Sequence, residues 1–369
     1  MRLINVSECY FIRDSFCYPA KKRYTPVLVA KKPLMNIYMK SKESPLVSII
    51  MPAYNAENTI ENSILSVLAQ SYENIELIIV NDGSKDKTAD VCQGFDDDRI
   101  VYIYQDNQGP SGARNTGLKL CRGSFVCFVD SDDEIDKEYV RELYNTIIYR
   151  NSQLAICGVR DVWEDSYSCN TFEDYHTFDT PLQNERFLRL LESGLLNSAC
   201  NKLYVTEIIL NNNIRFESIV LVEDILFNII YYSKIKTASV SPLSLYYYKH
   251  ENSVLTRNVS PHMYDSYYRV HSLLLSLVPN SMNQLIHVAM YHQYFSIFNK
   301  YMLSIVDSSK INVEVLNFLH KQMRNTLVVR SFDSYKPKGF KETLVHYVVK
   351  YGFYRIYYLY MMISMTFRK

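Results

Sequence analysis

From residue 45 onward the chain alternates short apolar runs with segments whose apolar residues recur every three or four positions. Val47-Ser48-Ile49-Ile50-Met51 predicts a strand stopped by Pro52. Ile60, Ile64, Val67 and Leu68 then share one face of a helix starting near Asn58 or Thr59. Further strands are predicted at Ile75–Val80, Ile100–Tyr104, Phe125–Val129 and Leu154–Val159. Helices are predicted from Ser84 or Lys85, from the small-residue run Asn107–Gly117, and from about Asp136 to Tyr149. This alternation predicts an α/β fold with a mostly parallel sheet covered by helices. Between 160 and 260 the pattern loosens, leaving a helix at Leu221–Tyr232 and a strand at Ala238–Tyr248. Beyond 260 the chain reads as helical, with few turn signals before Lys336-Pro337-Lys338-Gly339.

Composition sharpens this picture at the two ends. The formal net charge is +1, which argues against a nucleic-acid partner. Residues 1–44 are basic and aromatic, broken by Pro19, Pro26 and Pro33, and read as an N-terminal extension; the C-terminal stretch is basic too. The eight cysteines are scattered, with no CxxC pair and no histidine at ligand spacing, as in a reducing compartment without a zinc site. No signal peptide and no bilayer-spanning run is predicted. The expected location is cytoplasmic, with the inner face of the membrane open to it. The tail from Tyr347 to Ile363 mixes tyrosines with Lys350 and Arg355, which suits either an interfacial segment or a helix packed on its own domain.

The densest chemistry lies where Phe125-Val126-Cys127-Phe128-Val129 runs straight into Asp130-Ser131-Asp132-Asp133-Glu134. A buried strand ending in clustered acids sets negative charge at the carboxyl edge of a sheet, where open α/β folds bind ligands. Crowded carboxylates repel unless a cation compensates them, so the stretch reads as a metal–phosphate platform. An EF-hand is excluded, because Ile135 stands where its loop needs glycine and a strand precedes the acids. A dehalogenase-type phosphatase or phosphotransferase with Asp130 as nucleophile remains an alternative. The plainest alternative is a helix start enriched in acids.

Four segments in order carry a resemblance: Val47-Ser48-Ile49-Ile50-Met51-Pro52-Ala53-Tyr54-Asn55, Val80-Asn81-Asp82-Gly83-Ser84, Gly109-Pro110-Ser111-Gly112-Ala113-Arg114-Asn115 and Asp130-Ser131-Asp132-Asp133. Cys200-Asn201-Lys202-Leu203-Tyr204, Val222-Glu223-Asp224-Ile225-Leu226-Phe227 and the stretch from Tyr248 to Thr256 extend it. Together they resemble the family 2 glycosyltransferases. That resemblance implies a GT-A fold, a Rossmann-like α/β domain, over residues 45–255. The extension 1–44 precedes it, and a helical region 256–369 with a basic aromatic tail follows.

The resemblance also implies roles. Pro52, Tyr54, Asn55 and Asp82 would hold the nucleotide of a UDP-sugar, with Gly112, Arg114 and Ser131 near its phosphates. Asp132, with Asp130, would bind Mn²⁺ or Mg²⁺. Asp224 would be the general base of an inverting transfer, with Glu223 beside it in a positioning or acceptor-binding role that it could exchange with Asp224. Lys249 and His250 would reach the diphosphate, and Lys202 and Asp133 the acceptor side. The implied acceptor is a glycan or lipid-linked hydroxyl in surface-polysaccharide synthesis. A non-catalytic glycan- or membrane-binding protein on the same fold is the other alternative.

Overall fold

The computed structural model describes residues 44–219, 222–250, 262–307, 313–354 and 356–357. Residues 1–43, with nearly all of the basic extension, and the end of the tail from 358 lie outside them, as do Ser253 and Thr256. The chain divides near residue 254 into two compact units, treated separately below.

The first unit opens with the predicted alternation: β1 (Val47–Ala53), α1 (Ile60–Leu68), β2 (Ile75–Asp82), α2 (Thr88–Gln93), β3 (Ile100–Gln105), α3 (Gly109–Leu120) and β4 (Phe125–Phe128). β3, β2, β1 and β4 lie side by side in that order and are all parallel. β1, β2 and β4 are apolar without alternation because both their faces are covered; every residue of β2 and β4 is buried. Gly117 of α3 lets the helix settle onto β1: a Cβ there would meet Ile50 Cγ2 at 2.4 Å.

Beyond β4 come β5 (Glu134–Ile135), α4 (Tyr139–Arg150), β6 (Leu154–Trp163), β7 (Ser166–Asn170), β8 (His176–Asp179), α5 (Glu185–Ser193), β9 (Lys202–Val205), α6 (Thr206–Asn211), α7 (Glu223–Tyr232) and β10 (Thr237–Lys249). The sheet continues β4-β9-β6-β10-β5, with β7 on β6 and β8 on β10. Here the direction changes. β9 runs antiparallel to both β4 and β6, whereas β10 returns parallel to β6. The sequence pattern marks all four strands of the parallel half and, in the mixed half, β6 and β10; the four-residue strand β9 that joins the halves is not marked as a strand.

The second unit holds α8 (Met263–Leu277), α9 (Asn283–Asp307), α10 (Val313–Gln322), α11 (Thr326–Ser334) and α12 (Gly339–Lys350). Its core is aromatic: Tyr264 stacks on Tyr294, and Tyr291 on Tyr335 with ring centres 3.9 Å apart. Part of the tail joins that core. Tyr354 packs on Phe298, and the Tyr357 hydroxyl donates to Asn299 Oδ1 at 2.6 Å. No helix among the described residues is long and apolar enough to cross a membrane.

Candidate active site

Two loops at the carboxyl ends of β1 and β2 are stitched together. Asn55 adopts a left-handed backbone (φ 50°), which asparagine tolerates better than most residues. Its N–H donates to Ser84 Oγ (3.0 Å), and its Oδ1 accepts from the Lys85 N–H (2.9 Å). The Ala56 and Glu57 amides donate likewise to Thr88 Oγ1 and Asp86 Oδ2. The Asn55 side chain is therefore engaged in the loop, and the neighbouring Tyr54 is half exposed. Asp82 is buried at the end of β2. Its Oδ1 accepts from Gln105 Nε2 (2.6 Å) and from the Gln108 N–H (2.9 Å), just before Gly109 turns the chain into α3 with φ 76°. Pro52 pairs in register with Val80 and Gly112 lies in the first turn of α3, so these motif residues gather at one sheet edge.

At the end of β4 the Asp133 N–H donates to the Asp130 carbonyl (3.1 Å), closing a tight turn that contains Ser131 and Asp132. Arg114, buried in α3, reaches this turn. Its Nη2 donates to Asp130 Oδ1 (2.8 Å), while Nη1 lies 3.2 Å from Asp224 Oδ1 and 4.0 Å from Glu223 Oε1. Glu223 and Asp224 open α7, where carboxylates favour the helix N-terminus. The motif arginine thus binds the protein's own acids.

Asp224 Oδ2 accepts the Ala199 N–H at 2.9 Å, and the Cys200 thiol donates to Asp130 Oδ2 at 3.5 Å. A closed ring results, Asp130–Arg114–Asp224 and back through Ala199–Cys200. Both oxygens of Asp130 and both of Asp224 are engaged in this ring. Phe216, which lies under the Arg114 guanidinium (5.4 Å), is a residue of this cluster that no sequence motif flagged, and Cys200 lies in a motif without having been given a role.

The acids respond to this crowding. Burial and the adjacent Asp224 push Glu223 up to about 7. Asp132 is exposed as a residue, but protein around its carboxyl group and the neighbouring Asp130 push it up to about 6. Arg114 rises well above its ordinary value, because the three carboxylates outweigh its burial. Among the described residues no three acidic, histidine or cysteine side chains converge to hold a metal ion. The donor set still fits one: a hard divalent cation bound to substrate phosphates needs only one or two protein carboxylates, and repulsion between Asp130 and Asp132 is what such a cation relieves.

Other expected residues lie deeper. Asp133 is buried, and accepts from the Tyr246 hydroxyl (2.6 Å) and the Lys249 N–H (2.9 Å). Lys202 is completely buried, its Nζ donating to Leu195 O and Asn201 Oδ1 at 2.8 and 2.7 Å. Both side chains are buried beneath the acids of the site. Lys249 Nζ pairs with Glu134 (3.1 Å). His250 lies 3.0 Å from Asp161 Oδ1 and stacks on Trp163 at 4.4 Å, an exposed indole outside every motif.

Known proteins share this architecture. Residues 48–210 match the family model described as Glycosyl transferase family 2. The chain is 34% identical over 224 residues to the glycosyltransferase GlyA of Streptococcus pneumoniae, a match covering 57% of this chain and 31% of GlyA. The chain therefore spans about a third of that relative's length. Among solved structures, Staphylococcus aureus TarS 1–349 in complex with UDP-GlcNAc superposes with a TM-score of 0.66 at 23% identity, covering 87% of this chain and 91% of that one. The mannosyltransferase PcManGT of Pyrobaculum calidifontis, in complex with GDP-Man and Mn²⁺, does so at 0.50 and 12%, covering 80% and 91%. Those two likenesses concern the fold. Residues 48–210 of this chain are thus similar to the family 2 glycosyltransferases, and the likeness to TarS shows a shared fold.

Proposed function

We propose that this protein is an inverting glycosyltransferase that moves a hexosyl or N-acetylhexosaminyl group from a UDP-sugar to a hydroxyl of a glycan or lipid-linked acceptor in surface-polysaccharide synthesis. The observation that carries this reading is the buried Arg114 between Asp130 and the Glu223–Asp224 pair. Glu223 Oε2 is buried there without a hydrogen bond among the described residues, and Arg114 Nη1 and Asp224 Oδ1 have only their mutual ion pair at 3.2 Å, with no well-formed hydrogen bond. Orphaned polar atoms of this kind are costly unless a ligand completes them. UDP-GlcNAc bound to TarS supports the choice of donor, and GDP-Man with Mn²⁺ bound to PcManGT supports a divalent metal.

On this reading Tyr54 and Asp82 receive the nucleotide, and the opening of α3 at Gly109–Gly112 faces the diphosphate. Asp132, with Asp130, holds Mn²⁺ or Mg²⁺, which when bound neutralises the departing diphosphate. Asp224 takes the proton of the acceptor hydroxyl as that oxygen attacks the anomeric carbon from the face opposite the leaving nucleotide. Glu223, with a pKa near neutrality, both donates and accepts hydrogen bonds and steadies the acceptor. Lys249 and His250 border the donor side.

A screen of nucleotide sugars with Mn²⁺, read by thermal shift and by hydrolysis, identifies the donor. With that donor, Asp224→Asn keeps binding and loses about 10²- to 10⁴-fold in turnover, the range of general base catalysis. Near-normal turnover removes Asp224 as the base.

A second proposal concerns location. Tyr347, Tyr351, Phe353 and Ile356 are exposed beside Lys350, a combination that favours the headgroup zone of an anionic membrane.

A further inference from the structure

Between α5 and β9 the chain makes a turn, residues 195–200, whose carbonyls are held by buried side chains. Lys202 Nζ donates to Leu195 O at 2.8 Å and also to Ser198 O. Asn228 Nδ2 lies 3.0 Å from the carbonyl oxygens of Leu196, Asn197 and Ser198. The Tyr204 hydroxyl donates to Asn228 Oδ1 at 2.6 Å, which turns the Asn228 NH₂ toward the turn. Tyr232 and Tyr139 hydroxyls hold Leu196 O (2.9 Å) and Cys200 O (2.6 Å). With these carbonyls held, the Ala199 N–H is left to donate to Asp224 Oδ2.

Lys202 is an expensive choice for such a position. Burial pushes its ammonium down to about 7 against the opposing pull of the Asp224 carboxylate, which is not among its hydrogen-bond partners. A hydrophobic residue of similar volume would pack there at lower cost. Its donors go to carbonyl oxygens and to Asn201, which joins the same turn through Leu195 O (3.3 Å).

We propose that Lys202 and Asn228 are positioning residues: by holding the carbonyls of the 195–198 turn they aim the Ala199 amide at Asp224 and orient its carboxylate for proton transfer. This inference rests on the reading of Asp224 as the base. It gives a common task to Lys202, within the Cys200–Tyr204 motif, and Asn228, just beyond the Val222–Phe227 motif, since both serve the same turn.

The test uses the full-length chain and the donor found by the screen. Lys202→Met keeps UDP affinity with Mn²⁺ within about threefold and lowers kcat about 10- to 100-fold, as expected when a reacting group is misplaced by up to an ångström. Added to Asp224→Asn, it changes the residual rate by less than about twofold, because the two residues act through one hydrogen bond. A folded Lys202→Met with unchanged kcat, or with its full loss retained in the Asp224→Asn background, overturns the proposal.

Should Lys202→Met not fold, Tyr204→Phe removes one oxygen and gives the same pattern, with kcat lowered about threefold or more. The Ala199 amide, read by NMR on alanine-labelled protein, tests the cradle apart from catalysis. Its proton shifts upfield in the cradle variant, and an unmoved signal overturns the proposal. If Asp224→Asn keeps normal turnover while the amide still shifts, the assignment of the base has failed and the cradle has not.

Discussion

A guanidinium with almost no access to water needs carboxylates around it, and Arg114 finds Asp130, Asp224 and Glu223 within 4.0 Å. Removing one partner of a buried ionic cluster costs about 3–5 kcal/mol, since the other charges stay buried and uncompensated. Arg114→Met is therefore expected to lower the melting temperature by roughly 6–20 °C, read by calorimetry. A direct diphosphate contact alone predicts unchanged stability and weaker donor binding. Asp132 behaves differently, being exposed as a residue and outside the hydrogen bonds and ion pairs of Arg114. Asp132→Ala should abolish metal-dependent UDP binding with little effect on stability, and unchanged calorimetric affinity with Mn²⁺ removes it as a ligand. With its pKa raised to about 6, its proton competes with the metal. In the wild type, Mn²⁺ affinity falls as pH drops through that value.

At the level of elements, α8 and α9 meet at a histidine pair. His271 Nε2 lies 2.9 Å from His287 Nδ1, and His271 Nδ1 lies 3.1 Å from the Tyr294 hydroxyl. Burial, then the neighbouring His287, lowers His271 to about 3. The folded form thus binds fewer protons than the unfolded chain, whose histidines titrate near 6.5. Its stabilising contribution is complete above that value and is lost as pH falls toward 3. Thermal melts of the wild type should show the helical unit weakening below about pH 6.5, and His271→Phe should flatten that dependence. An equal slope in the variant excludes the pair as its source. Nothing in the helical periodicity of this region marks these histidines, because their neutrality comes from packing between two helices. The strands β1, β2 and β4 were legible for the opposite reason: burial on both faces forces continuous apolar runs, which composition alone displays.

For the whole chain, the exposed Tyr351 and Phe353 invite a test that leaves the packed Tyr354 and Tyr357 in place. If the tail is interfacial, the protein sediments with vesicles containing anionic lipid, and Tyr351→Ser with Phe353→Ser releases it. Failure of the wild type to sediment removes that role. Deletion of the tail from Lys336 would be a poorer test, since Tyr354 and Tyr357 pack on α9 and their loss disturbs the helical unit itself.

The order of the motifs determined the family resemblance and the expected fold, because the first motifs close parallel strands whose ends lie at one edge, where α3 also begins. Local chemistry also determined that the acids after β4 would crowd, since four carboxylates within five residues leave no other outcome. Partnership was decided only by the tertiary structure. Arg114 and Asp224 are 110 positions apart in the chain, and their contact exists because α3 and the start of α7 meet beside β4. The same three-dimensional meeting put Lys202 and Asp133 beneath the site and spent Asn55 on a loop. Burial and hydrogen bonding between distant segments set the work a polar residue does, and periodicity along the chain carries no record of them.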